Sequence, residues 1–142
     1  MPDRPPPIDK HRARQAFSRA ADTYDEAAVL QREIGERMLE RLDYVKLEPG
    51  VILDAGCGTG AGAEALLRRY RKARVLAMDF AYPMLRRARR RGSWLRRPTC
   101  VCGDIDHLPL ADASVDLVFS NAVLQWSTDL ASSFSECLRV LR

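Results

Sequence analysis

The sequence has few of the residues that form the commonest catalytic and metal sites. Its two histidines, His11 and His107, offer no convincing general base, and its four cysteines include no Cys-x-x-Cys pair. Cys100 and Cys102 alternate on a predicted strand and would share a face, but no second pair completes a zinc site. We therefore expect no metal, and we interpret the cysteines as buried thiols in a reducing compartment.

Long apolar segments are also missing. No apolar run approaches the roughly 18 residues that a membrane helix needs. Residues 1–7, Met-Pro-Asp-Arg-Pro-Pro-Pro, lack the apolar region of a signal peptide and are interpreted as a flexible lead-in. We expect a cytoplasmic protein with no membrane partner. The chain has 142 residues, of which 46% are hydrophobic, enough for one domain with a core.

Positive charge is concentrated in one stretch of the chain. From Arg68 to Arg97 there are twelve Lys or Arg residues and one acid, Asp79, although the net charge of the whole chain is only +4. A strip this basic is typical of a surface that binds an acidic partner, and a solvated arginine-rich face is the competing explanation. RNA would fit the charge as well, but no RNA-binding module is visible, so we expect no nucleic-acid partner.

Hydrophobic periodicity divides the chain into two parts. Apolar residues at helical spacing predict two amphipathic helices, one from Ala13 to Tyr24 and one from Ala27 to Leu42. After the breaker Leu47-Glu-Pro-Gly50, strands and helices alternate, which predicts an α/β fold with a parallel sheet covered on both faces. The predicted strands are 51–55, 74–79, 99–102 and 114–120, and the predicted helices are 60–70, 82–91 and 129–141.

The strongest local signal is the segment Leu53-Asp-Ala-Gly-Cys-Gly-Thr-Gly60, where the first strand ends. Its three glycines allow the backbone to turn tightly and to approach a ligand closely. Asp79 closes the second strand about twenty residues later, where a carboxylate can accept hydrogen bonds from both hydroxyls of a ribose. Because ligands bind at the carboxyl ends of parallel strands, these residues predict a nucleotide-like ligand at that edge.

Two ligands fit this pattern. Gly56-x-Gly58-x-x-Ala61 satisfies the dinucleotide pattern. S-adenosylmethionine is favoured because Asp54, directly before the glycines, would repel a pyrophosphate but attract a methionine ammonium. Asp104, after the third strand, could also accept a hydrogen bond from the adenine amino group.

With these motifs, residues 51–142 resemble a class I S-adenosylmethionine-dependent methyltransferase, which implies a Rossmann-like sheet. The resemblance also implies a set of cofactor-binding residues. The first group would contact the methionine end of the cofactor, the second group its ribose and adenine, and the last residue the side of the sulfonium. They are Asp54, Gly56, Gly58 and Gly60, then Asp79, Phe80, Met84, Asp104 and Ile105, and then Asn121.

Other segments narrow the resemblance. The stretches Arg14–Tyr24, Ala28–Gln31, Gly103–Leu110 and Ser120–Trp126 are similar to the biotin-synthesis malonyl-[acyl-carrier protein] O-methyltransferases. That similarity implies O-methylation of the free carboxylate of malonyl-[acyl-carrier protein]. Because trans-aconitate methyltransferases share the Leu-Gln-Trp segment, methylation of another small acid or of a quinone precursor stays open. A non-catalytic, methyltransferase-like assembly factor is the third alternative.

The resemblance assigns roles to the rest of the chain. Residues 8–46 would form a lid of N-terminal helices, and residues 47–142 would form the S-adenosylmethionine-binding domain. We expect that domain to be incomplete, with the C-terminal strands absent and the piece alone catalytically poor. Tyr24, Gln125 and Trp126 are candidates for the acceptor pocket or for simple packing, with no catalytic residue certain. An acidic carrier protein would dock on Arg86, Arg87, Arg90 and Arg91.

Overall fold

A computed structural model of the chain describes residues 6–142. Most of the predicted flexible lead-in, residues 1–5, lies outside this range. The N-terminal part forms three helices: α1 spans Lys10–Ala20, α2 spans Tyr24–Ala27 and α3 spans Val29–Arg41. A 3₁₀ turn at Leu42–Tyr44 follows.

The first predicted helix is shorter than its hydrophobic pattern indicates. The pattern extends to Tyr24, but α1 ends at Ala20 and a turn separates it from α2. In that turn the Thr23 N–H donates to the Ala20 carbonyl at 3.0 Å. Asp and Thr side chains favour such local turns over helix interiors, so Asp22 and Thr23 interrupt the helix despite the apolar spacing around them.

Four parallel strands form the sheet, in the order β3-β2-β1-β4. The strands are β1 at Val51–Ala55, β2 at Arg74–Asp79, β3 at Thr99–Cys102 and β4 at Leu117–Phe119. This confirms the predicted parallel sheet and the positions of its first three strands. The order reverses beside β1, because β2 lies on one side of it and β4 on the other. Ligands bind at such a reversal in open α/β sheets.

The fourth strand is shorter than predicted. The pattern predicts a strand over 114–120, but only Leu117–Phe119 pairs with β1. Val115 instead forms a parallel bridge with Leu141, and its N–H donates to the Val140 carbonyl at 2.9 Å. The backbone before β4 is therefore engaged by the residues that end the last helix.

Three further helices connect and cover the strands: α4 at Ala61–Arg69, α5 at Tyr82–Ala88 and α6 at Leu130–Val140. Asp129 caps α6, since its side chain accepts from the N–H groups of Ala131 and Ser132. The helix predicted over 82–91 ends at Ala88. After it, the N–H groups of Arg90 and Arg91 donate to the carbonyls of Arg87 and Ala88 in a turn, and Gly92 follows with a φ of +83°, which favours glycine.

The core lies on both faces of the sheet, as predicted. Neighbouring residues of β1 point to opposite faces, because side chains alternate along a strand. Ile52 packs with Leu66 on one face, and Leu53 packs with Val140 on the other. All four side chains are fully buried. Within residues 6–142, no helix is long and apolar enough to cross a membrane.

The cysteines are not all buried. Cys57 is buried, whereas Cys102 is exposed at the end of the edge strand β3, so the expectation of buried thiols is wrong for Cys102. The part of the chain that the structure describes contains no group of three or more His, Cys, Asp or Glu residues placed to hold a metal ion.

Candidate functional site

The glycine-rich loop leaves β1 through a tight turn that folds back on β2. The N–H groups of Gly56 and Cys57 both donate to the Met78 carbonyl at 2.8 Å. Gly56 has a φ of +75°, and a Cβ added there would lie 2.0 Å from Cγ2 of Val123. Only glycine can occupy this position without displacing a neighbour.

Asp79 binds the same loop from the end of β2. Its Oδ2 accepts the N–H of Gly58 at 2.9 Å, and its Oδ1 accepts the N–H of Ala81 at 2.8 Å. The side chain is 7% exposed, and burial raises the pKa of the carboxyl although these two bonds oppose the rise. Each oxygen keeps a second lone pair that can accept a hydrogen bond from a ligand.

A cleft lies between the carboxyl ends of the strands and the N-terminal helices. We call it the first cleft, and it holds about 610 Å³ of space that is partly open to solvent. Phe17 of α1 packs in it with ring centroids 5.9 Å from Phe80 and 5.4 Å from Trp126. The predicted residues that line this cleft are Tyr24, Gly56, Gly58, Asp79, Phe80, Met84, Asp104, Ile105, Asn121 and Trp126.

At one end of the first cleft, Asp104 is already engaged by a residue that the sequence did not suggest. Nζ of Lys10, at the start of α1, lies 2.7 Å from both carboxylate oxygens of Asp104 and 2.5 Å from Oδ2 of Asp106. Burial opposes the charge of Lys10, but the bonds to the two carboxylates outweigh it and raise the pKa of the ammonium. The bridge ties α1 across the cleft.

Asp106 joins this bridge to the last helix. Its side chain is almost fully buried, yet it accepts hydrogen bonds from the hydroxyls of Ser127, Ser133 and Thr128 as well as from Lys10. Burial disfavours the charged form, but these donors outweigh it and hold the pKa of Asp106 well below its usual range. The segment after β3 is therefore fixed to the N-terminus of α6.

A second, larger cleft of about 1090 Å³ lies between α3 and α4, on the other side of the glycine loop. It shares four residues with the first cleft, which places the junction of the two clefts at the loop. The shared residues are Tyr24, Gly56, Gly58 and Asn121.

Asp54 faces the second cleft rather than the first. It is 3% exposed, and burial raises the pKa of its carboxyl to about 7, with a further contribution from the neighbouring charge of Asp79. A backbone hydrogen bond from Ala63, in the first turn of α4, acts in the opposite direction. A positive charge in the second cleft would favour the ionised form of this carboxyl.

Asn121 has one satisfied and one unsatisfied polar atom. Its Nδ2 donates to the Gln31 carbonyl of α3 at 2.7 Å. Its Oδ1 is buried and has no hydrogen-bond partner among residues 6–142. A buried acceptor without a donor is costly, so a ligand donor at the junction of the two clefts would stabilise it.

Residues 53–142 match the family model described as a methyltransferase domain. The chain belongs to this family. The match confirms the predicted family and favours it over the dinucleotide alternative.

Relatives of this methyltransferase domain bear a common name. The malonyl-[acyl-carrier protein] O-methyltransferase of Halorhodospira halophila is 53% identical over 94% of this chain and 45% of its own length. That of a Methylovorus species is 52% identical over 95% of this chain and 48% of its own length. The chain thus spans about half the length of these curated relatives.

Solved structures share the fold. A methyltransferase in complex with the Haloferax volcanii Trm112 methyltransferase activator has a TM-score of 0.76 at 26% identity, over 89% of this chain and 55% of that one. An S-adenosylmethionine-dependent methyltransferase from Mesorhizobium loti has a TM-score of 0.59 at 32% identity, over 72% of this chain and 47% of that one.

Two arginines of the basic strip form ion pairs with acids of the N-terminal segment. Nη2 of Arg91 lies 2.9 Å from Oδ2 of Asp25, and Nη2 of Arg87 lies 2.6 Å from Oδ1 of Asp22. These two arginines, expected on a docking surface, therefore fasten the N-terminal helices to the sheet domain. Their acidic partners lie 65 and 66 positions away in the chain, so the strip's composition gave no sign of the pairing.

The two acceptor-pocket candidates from the Leu-Gln-Trp segment separate in the structure. Trp126 lines the first cleft, against Phe17. Gln125 is exposed on a 3₁₀ turn and lines neither cleft. Gly60 also lines neither cleft; it precedes α4, and an added Cβ would lie 2.8 Å from Cα of Ala88.

Proposed function

We propose that this chain is the cofactor-binding part of an S-adenosylmethionine-dependent O-methyltransferase that methylates the free carboxylate of malonyl-[acyl-carrier protein] in biotin synthesis. The observation that carries the proposal is the position of Asp79, which binds the backbone of the glycine loop and still offers lone pairs to the first cleft. The names of the relatives support the acceptor.

The residues present fit this cofactor. Asp79 would hold the two ribose hydroxyls, and the apolar side chains of Phe80, Met84 and Ile105 would face the adenine. The partnerless Oδ1 of Asn121 would accept from the methionine ammonium, which needs such an acceptor. The bound cofactor supplies a methyl group activated by the positive sulfonium.

Two carboxylates have more specific roles in the proposal. Asp54, with its pKa of about 7, would ionise more readily beside an ammonium, because an opposite charge favours the charged form. Asp104 would accept from the adenine amino group through lone pairs that Lys10 leaves free, because each carboxylate oxygen can accept two hydrogen bonds. Lys10 would thereby hold Asp104 in position.

The reaction requires little acid–base chemistry. A malonyl carboxylate is ionised at neutral pH, since carboxyl groups titrate at about pH 4, so it can attack the methyl group without a general base. What the chain must supply is alignment and exclusion of water. Tyr24 and Trp126, packed around Phe17 in the first cleft, would provide the cover. This assigns residues 8–46 the role of a lid over a cofactor-binding domain at 47–142.

A carrier protein is typically acidic, so we propose that it docks on the part of the arginine strip that is not paired internally. Arg86 and Arg90 are exposed and line one groove with Arg89 and Arg97. Arg87 and Arg91 would contribute less, because Asp22 and Asp25 already neutralise them. A cytoplasmic location is part of the same proposal, because the proposed acyl-carrier substrate is cytoplasmic.

Calorimetry with S-adenosylhomocysteine tests the cofactor half of the proposal. We expect saturable one-to-one binding to this chain and no binding of NAD. Binding of NAD without binding of S-adenosylhomocysteine would reject the proposal. Absence of both would favour a non-catalytic assembly factor.

Methyl transfer from labelled S-adenosylmethionine tests the acceptor. We expect this chain to label malonyl-[acyl-carrier protein] slowly, because the piece alone should be catalytically poor, and not to label its methyl ester, because the ester has no free carboxylate. Labelling of free trans-aconitate or of a quinone precursor in preference to the malonyl thioester would identify the alternative acceptors.

A further inference from the structure

Three arginines line the second cleft, Arg32, Arg68 and Arg91, and only Arg32 lacks a carboxylate partner within residues 6–142. Nη1 of Arg91 lies 3.5 Å from Glu64, and Nη1 of Arg68 lies 3.7 Å from the same residue. Arg91 also pairs with Asp25. Arg32 forms no ion pair with a carboxylate within residues 6–142, and its Nη2 donates only to the backbone carbonyl of Asp25, at 2.6 Å.

Arg32 stands close to the junction of the two clefts. It follows Gln31, whose carbonyl holds Asn121. One turn along α3, a Cβ added to Gly35 would lie 3.0 Å from Nδ2 of Asn121, so α3 packs directly against that side chain. Arg32 lines the second cleft, and a guanidinium whose N–H donors no carboxylate among the described residues engages is suited to bind a carboxylate in a bidentate manner.

We propose that Arg32 binds a carboxylate of a ligand that enters the second cleft. The inference rests on the proposed function, because both of its ligands carry this group. The cofactor has one at the end of its methionine tail, and the acceptor has the free carboxylate to be methylated. In either case Arg32 is the cation that fixes the ligand's anionic end at the lid side of the site.

The acidic residues of the second cleft allow a second test, in which removing a negative charge should strengthen the binding of a carboxylate ligand. Asp25 and Glu64 are paired with Arg91, and Asp54 is buried at the base of the cleft. Glu36, four residues after Arg32, also lines the cleft and forms no ion pair with it in the described part of the chain. Its negative charge opposes a carboxylate ligand, so Glu36→Gln should strengthen binding where Arg32→Ala weakens it.

Calorimetry on the full chain separates the two sources of carboxylate. The first arm compares S-adenosylhomocysteine with methylthioadenosine, which lacks the amino-acid tail. The second arm, with saturating S-adenosylhomocysteine, compares malonyl-pantetheine with acetyl-pantetheine, which lacks the carboxylate. Loss of one charged hydrogen-bonding group predicts about a tenfold or greater rise in Kd for the ligand that Arg32 holds. The matching ligand without a carboxylate should be unaffected.

The variants control for structure. Arg32→Lys keeps the charge but loses the planar fork, so it should recover part of the affinity. Arg37→Ala, on an exposed turn of the same helix with Glu33 as its partner, should leave every Kd unchanged. Thermal unfolding of Arg32→Ala close to that of the parent chain would show that the fold is intact.

The pattern of Kd changes in Arg32→Ala distinguishes the possible ligands of Arg32. An effect confined to S-adenosylhomocysteine supports the inference and identifies the cofactor tail, and one confined to malonyl-pantetheine identifies the acceptor. If the parent chain binds these ligands and Arg32→Ala binds all four equally well, the inference is overturned while the proposed function stands. If the parent chain binds none of them, both fail together.

Discussion

The carboxylate of Asp79 accepts a hydrogen bond from the N–H of Gly58 at 2.9 Å, which joins the end of β2 to the glycine loop that follows β1. The same carboxylate accepts from Ala81, so its two oxygens orient both the loop and the start of the next segment. One buried carboxylate thus lines the first cleft and orients the backbone on both sides of it.

Asp79→Asn should abolish most cofactor binding. An amide has one oxygen and one NH₂, so a donor would face either Gly58 or Ala81, both of which are donors themselves. We expect the Kd for S-adenosylhomocysteine to rise at least about tenfold, the typical effect of losing charge-assisted hydrogen bonds. Calorimetry measures this. The exposed variant Glu40→Gln is the control, and unchanged affinity in Asp79→Asn would contradict the ribose assignment.

Asp54 predicts an unusual dependence of stability on pH. Its pKa is about 7 in the folded chain, against about 3.9 for an unperturbed Asp. Between these values the unfolded state loses a proton that the folded state keeps, so the free energy of unfolding falls as pH rises and levels off above about pH 7. The loss is on the order of 4 kcal/mol, because each pH unit between the two pKa values contributes ~1.4 kcal/mol.

Asp54→Asn removes this titration, so its free energy of unfolding relative to the parent chain should rise from about pH 4 to about pH 8. Urea unfolding across that range measures the difference. Glu48→Gln changes an exposed carboxylate and should show no such trend. Parallel curves for Asp54→Asn and the parent chain would show that this carboxyl titrates normally.

Gly56→Ala should destabilise the chain through a local clash. Its φ of +75° is unfavourable for alanine, and the new Cβ would lie 2.0 Å from Cγ2 of Val123. We expect a loss of ~2 kcal/mol or more in the free energy of unfolding. Val123→Ala removes the methyl groups that clash, so the double variant should lose less than the sum of the two single ones. If the losses of the two single variants simply add in the double variant, the clash of the new Cβ is not with Val123.

Lys10→Met should show how strongly the first helix is held to the sheet domain. Asp106 is almost fully buried and would lose its cationic partner, at a cost of about 2 kcal/mol, below the figure for a wholly buried pair because Lys10 is part-exposed. Arg37→Met breaks an exposed pair with Glu33 and should cost less than about 0.5 kcal/mol. Chemical unfolding of both variants gives the comparison.

The effect of Lys10→Met should depend on pH in a defined direction. The pKa of Asp106 is lowered in the folded chain, so the stability from this charge is present above the unfolded value of about 4 and is lost as pH falls. The difference between Lys10→Met and the parent chain should therefore shrink in acid. A constant difference would mean that the lysine contributes through packing alone.

Short-range patterns in the sequence were sufficient for the sheet and the glycine loop. The apolar strands, the glycines at 56 and 58 and the acid at 79 are encoded within short segments, and the structure brings them to one cleft. Element ends were predicted less well. Turn-forming Asp22 and Thr23 ended α1 early, and the backbone of Val115 was engaged by the residues after α6.

The sequence by itself determined the class of fold and the glycine-rich loop. The spacing of apolar residues and the positions of glycines control the backbone through residues that are close together in the chain. Only the tertiary structure decided that Lys10 pairs with Asp104, 94 positions away, and that Arg91 pairs with Asp25, 66 positions away. It likewise left Gln125 outside both clefts. Such pairings depend on where folding brings distant side chains together, which composition and spacing do not specify.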